Sequence, residues 1–290
     1  MKSHQRRLFT RQRLAQAFAL VMLVTQLGQM GFAAEPAGAE PPSAAPPAIQ
    51  TAKPTIDAKK LALAKELTTW MQATLQEKKA LVAVVARKGG EDVKKHDKTG
   101  MAHTGLAVYD PRAQTWLIYN LVQETKKPDS SPGPATESIW RTAPLDFYYG
   151  QTGYDKEALL LIPDVETQQR VYEAILNGNY KKLNAVKTYN LLSPYDSVTS
   201  LNCNKWLLFN LAAAHLDNYD PAAVAAAIHT GFQPGELRLS PLEEIFVRRK
   251  SNVILSELPK HPPIQTVTVE SLYRSNLFQE KLFYSGKTAL

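Results

Sequence analysis

Three short apolar, β-rich segments constrain this chain more than anything else in it. They are Ala80–Ala86 (ALVAVVA), His103–Tyr109 (HTGLAVY) and Thr115–Val122 (TWLIYNLV). Each is too short for a stable helix and rich in β-branched residues, so each predicts a buried strand. Asp110-Pro111-Arg112-Ala113-Gln114 separates the second from the third and is a turn signal, which makes that pair a hairpin. A fourth strand is expected over Ala158–Ile162 and a last one over Ile264–Val269.

Helical spacing surrounds these strands. Leu61, Leu63, Leu67, Trp70, Met71 and Leu75 recur along Asp57–Lys78, with Asp57 placed to cap. Val165–Asn177 has the same period and ends before Gly178. Cys203–His215 and Pro221–His229 complete the set, proline suiting a first helical position. Helices beside a small, mainly antiparallel sheet make an α+β fold.

The ends differ in kind. Residues 1–34 hold Lys2, Arg6, Arg7, Arg11 and Arg13, no acid, an apolar run Ala17–Val24 and small residues at Gly31–Ala34. These are the three parts of a secretory signal peptide, so the protein is expected in the periplasm or outside the cell. The run is too short to span a bilayer, which needs about 20 residues, so no membrane span is expected after cleavage. The whole-chain charge of +7 falls to +2 once those five basic residues are removed. That balance argues against a nucleic-acid partner. The cluster Lys88, Lys94, Lys95, Lys98 is broken by acids and reads as a solvated loop. Residues 35–55 are Ala- and Pro-rich with almost no large apolar side chain, and read as a tether. The folded part is expected over residues 56–290, with Glu124–Glu137 as an exposed loop.

Cys203 is the only cysteine, so no disulfide forms within the chain. Six scattered histidines and the absence of a Cys pair or H-E-x-x-H argue against a metal, and no phosphate or dinucleotide motif calls for a cofactor. Two readings of the thiol stand. It is a small buried hydrophobe, the commoner fate of a free cysteine. Or it is a nucleophile whose thiolate the helix N-terminus stabilises, with a pKa below the usual value. The second needs a base, and His103 is the best placed: His4 leaves with the signal, and His215 lies three turns along the same helix. His103, Gly105, Ala107 and Tyr109 share one strand face, whose small residues would admit a closely packed helix.

The order of these pieces resembles a known family. Leu81–Arg87 (LVAVVAR), Ala102–Val108 (AHTGLAV), Trp116–Leu121, Tyr189-Asn190-Leu191-Leu192 and Leu201–Leu207 (LNCNKWL) are similar to DUF2145, a family of uncharacterised bacterial proteins. H-T-G followed about a hundred residues later by N-C also looks like the circularly permuted, papain-like branch of the NlpC/P60 superfamily. That resemblance implies Cys203 as nucleophile, His103 as base and a third polar residue on the next strand to orient the imidazole. Asn120 is nearest, with Gln123 and Glu124 behind it. It also implies acyl transfer, as a thiol hydrolase or acyltransferase acting on a cell-wall peptide or lipid acyl group. A non-catalytic envelope protein that keeps the fold for binding is the competing expectation.

Overall fold

The hairpin turn forms as the sequence demands. In the computed structural model Asp110 Oδ1 accepts from the backbone N–H groups of Arg112 and Ala113 at 2.8 and 3.2 Å. Gln114 then takes a left-handed conformation, φ 51°, before the chain returns. The structure describes residues 56–123, 135–185, 188–248, 252–259 and 263–286. The expected signal peptide and tether lie outside them, as does most of the expected loop at 124–137.

In chain order the elements are α1 (Ala58–Glu77), β1 (Val82–Lys88), α2 (Glu91–Lys94), β2 (Met101–Asp110), β3 (Thr115–Gln123), β4 (Ala135–Thr142), α3 (Pro144–Tyr149), β5 (Ala158–Ile162) and α4 (Val165–Leu176). They continue with β6 (Thr188–Tyr189), α5 (Cys203–Leu216), α6 (Pro221–Gly231), β7 (Gly235–Leu237), α7 (Pro241–Arg248), β8 (Ile264–Thr266), α8 (Val269–Arg274) and β9 (Glu280–Tyr284). Seven strands form one sheet in the order β6-β4-β3-β2-β1-β5-β9. Every neighbouring pair runs antiparallel. With helices on both faces, this is an α+β fold.

Side-chain alternation divides the core in two. Even-numbered residues of β1 (Val82, Val84, Ala86) join Leu106, Val108 and Leu121 in a layer with α4, α5 and α6. Odd-numbered residues (Ala83, Val85) join Ala107, Trp116 and Ile118 in a layer with α1 and α3. Residues paired across antiparallel strands share a face, so this split fixes which side each polar residue of the sheet meets.

The caps expected from sequence form. Asp57 accepts a backbone N–H at the start of α1, and two caps not expected from sequence, Asp164 and Asp220, do the same at the starts of α4 and α6. Gly178 has φ +74° just beyond α4, where an L side chain would be strained. Four differences stand out. Part of the expected loop is β4, whose sequence ATESIWRT hides a strand behind polar residues. The last expected strand is cut short: β8 pairs with β7 in a separate ribbon, and Val269 opens α8. Helix α5 has no single apolar stripe; Trp206, Leu207, Leu208, Phe209, Asn210 and Leu211 are all buried, because helices and sheet surround it. Lys88 is not on a solvated loop but 3% exposed, at the end of β1, paired with Glu157. No helix among the described residues is long and apolar enough to cross a membrane.

Candidate functional site

Cys203 sits at the first position of α5, and its polar neighbours explain why α5 starts there. Asn202 caps the helix, Oδ1 accepting from Lys205 N at 2.9 Å, and its Nδ2 donates to Leu191 O at 3.1 Å. Asn204 accepts from Thr104 Oγ1 of β2 at 2.8 Å and donates to Val267 O at 3.2 Å. Lys205, fully buried, donates through Nζ to Ser193 Oγ at 2.9 Å and Ser200 O at 2.8 Å. The run N-C-N-K-W is thus a clasp that ties the helix start to β2 and to the loops at 191–200 and 267. Buried polar groups are costly unless each finds a partner, and here each does.

The thiol is sealed inside that clasp. Cys203 is 0% exposed and packs in the α5 layer. Burial pushes its pKa up; backbone hydrogen bonds at Thr104 and Asn204, and the Arg87 charge, pull only partly the other way. The expectation of a lowered thiol pKa is therefore reversed: loss of hydration outweighs the helix N-terminus. Its own side-chain contact is a long one, Sγ to Asn204 Oδ1 at 3.7 Å.

His103 and Asn120 do meet. His103 Nε2 lies 3.0 Å from Asn120 Oδ1, while Asn120 Nδ2 donates to Trp140 O at 3.2 Å. The amide oxygen can only accept, so Nε2 carries the proton and Nδ1 keeps its lone pair. Nδ1 has no hydrogen-bond partner among the described residues. Burial, then the nearby Arg87 charge, pushes the imidazole down to about 3, against a smaller opposing effect of Asn120. The ring is neutral at any physiological pH.

Cys203 and His103 come from adjoining parts of the fold without a hydrogen bond between them: the thiol takes a backbone hydrogen bond from Thr104, the residue after His103. His103 pairs across the strands with Arg87, and its ring lies 5.7 Å from that of Phe147 in α3. That is the α1/α3 side of the sheet; α5 packs on the other side, where Thr104 reaches Asn204. The small residues beside His103 have another use. A Cβ on Gly105 would meet Ile118 Cγ2 at 2.5 Å and Tyr119 O at 3.1 Å, so the glycine admits β3, not a helix. Pairing of β2 with β3 stops at Leu106–Tyr119, and His103 reaches Asn120 beyond the end of the ladder. Of the other third-residue candidates, Gln123 accepts from Asn252 Nδ2 at 2.8 Å, and Glu124 lies outside the described residues.

Arg87, Phe147 and Trp140 were not singled out by sequence. The Arg87 guanidinium lies 5.0 Å from the Phe147 ring centre and donates to Phe147 O. The signal that could have marked it is a cation closing an otherwise apolar strand. A separate cleft of about 380 Å³ opens at the other end of α5, beside Asp217, Tyr219 and Glu173. Among the described residues no group of three or more His, Cys, Asp or Glu side chains is placed to hold a metal.

A family model described as an uncharacterised protein conserved in bacteria, DUF2145, matches residues 74–275. No curated protein and no solved structure matches the chain.

Proposed function

The chain belongs to the DUF2145 family, whose description names no activity, and from the geometry we propose that it is an exported envelope protein that binds rather than catalyses. The observation that carries this reading is the state of the thiol: wholly buried, held protonated, and without a hydrogen bond to a base. A nucleophilic cysteine needs thiolate and a path for the substrate carbonyl to reach it, and burial of Cys203 works against both. The residues around it serve as a clasp. Export rests on the basic, apolar and small-residue segments of residues 1–34. N-terminal sequencing of the envelope protein should find it beginning near Ala34 or Glu35.

One observation favours a second reading. His103 is held by Asn120 as the tautomer whose Nδ1 can take a proton, which is the arrangement a papain-like thiol hydrolase or acyltransferase requires of its base. That reading needs the clasp to open and the thiol to move toward β2. Reaction with iodoacetamide at pH 6 separates the two. The native protein is expected to leave Cys203 unmodified and the urea-unfolded chain to be alkylated. Rapid native alkylation that slows in His103→Ala would remove the binding reading and establish the catalytic pair.

A further inference from the structure

The residues that meet His103 form a row across four neighbouring strands. Arg87 of β1 is paired with His103 of β2, and Asn120 of β3 with Trp140 of β4. The His103–Asn120 hydrogen bond closes the gap between the two pairs. Directly paired residues share a face, so the four side chains rise from one side of the sheet. Three inter-strand steps of about 4.8 Å make the row roughly 14 Å long. Phe147 flanks it at the Arg87 end, and the Trp140 ring, 53% exposed, stands at the other.

Charge and hydrogen bonding along this row are unfinished. Arg87 is half-buried, yet no carboxylate pairs with it among the described residues; its guanidinium donates to a backbone carbonyl and lies over an aromatic ring. Loss of hydration on burial lowers the Arg87 pKa to about 10, with Cys203 opposing it in part. Room is kept for Arg87: a Cβ on Gly150 would collide with the guanidinium nitrogens. Next to it stands an imidazole with an unpartnered Nδ1, and at the far end an exposed indole with no protein ring stacked on it among the described residues. A guanidinium fork matches a carboxylate, and an exposed Trp face offers a platform to a flat or apolar group.

We propose that the row Arg87–His103–Asn120–Trp140 is a binding site for a short, carboxylate-terminated ligand of peptide size, with the carboxylate on Arg87 and the body of the ligand lying toward Trp140. The ligand supplies the negative charge that the fold leaves out. This inference rests on the binding reading above and gives it a ligand class. The two fail separately: alkylation of Cys203 is read without ligand, and ligand binding is read at the His103 ring, not at the thiol.

The test uses acetyl-alanyl-alanine as free acid, its C-terminal amide, and inorganic phosphate, followed through the His103 ring resonances by NMR. The free acid is expected to move them saturably and to raise the His103 pKa, because a carboxylate on Arg87 offsets the charge that depresses it. The amide is expected to do neither. Arg87→Met should weaken the acid by about ten- to a hundred-fold, the worth of a charge-assisted pair. Trp140→Ala, at an exposed position that cannot upset the core, should weaken it several-fold and keeps the test decisive if Arg87→Met does not fold. No saturable shift with the acid, an equal shift with the amide, phosphate binding as tightly as the acid, or unchanged affinity in Trp140→Ala or in folded Arg87→Met would each overturn the assignment.

Discussion

His103→Gln should flatten the pH dependence of stability. The imidazole is held near 3 in the folded protein, against about 6.5 for an unfolded chain. Between those values the unfolded state binds the proton and the folded state does not, so stability falls as pH falls. From pH 7 to pH 5 this amounts to about 2 kcal/mol for His103 alone. Asp97 acts in the opposite direction. Burial raises its carboxyl to about 6, so the folded state takes up a proton first and gains about 1 kcal/mol over the same interval. The wild-type curve contains both effects and is an ambiguous witness; the difference between wild type and His103→Gln is not. Glutamine can still donate to Asn120 and does not titrate. Urea unfolding at pH 7 and pH 5 on both proteins is the assay. Wild type should lose about 2 kcal/mol more than the variant. Equal losses in the two proteins would refute the claim that His103 is buried neutral beside a cation.

Further outcomes follow from other contacts. Asn204→Ala leaves Thr104 Oγ1 and Val267 O without their partner inside the protein and should cost about 2–4 kcal/mol by urea unfolding, with Thr104→Val adding less than its separate effect. Gly150→Ala should displace the Arg87 guanidinium and cost about 1–2 kcal/mol through the lost bond to Phe147 O. Lys79, exposed with φ 51° just past α1, should gain about 0.5–1 kcal/mol when replaced by glycine, measured as a higher urea midpoint.

Elements whose own residues decide them were legible in the sequence. Strands β1, β2, β3 and β5 and helices α1, α4, α5 and α6 appear close to where period and caps place them, because apolar runs and Asp caps act locally. Strand β4 was not legible: it carries only Ile139 and Trp140 as large apolar residues, and its pairing with β3 supplies what its sequence lacks. Nor was β9, a five-residue edge strand whose partner β5 lies far back in the chain. The site was half legible. His103 and Asn120 could be brought together from the position of one turn. Which helix layer His103 faces could not, since that depends on α5 docking against Thr104 and on Gly105 fitting Ile118. Arg87 was hidden for the same reason: only the β1–β2 register sets it beside His103.

The order in which the chain is made gives the sheet a waiting time. Strand β5 is buried at all five positions, Ala158 to Ile162, but one of its two edges is satisfied only by residues 280–284. The helix that fills one side of the sheet begins at Cys203. A chain emerging from a ribosome or a membrane pore has its inner strands well before their cover, and an apolar edge stays open until residues 280–284 appear. Any chain broken off before Glu280 presents β5 to its neighbours as a template for sticking, so damaged or unfinished copies should be found in aggregates, not in solution.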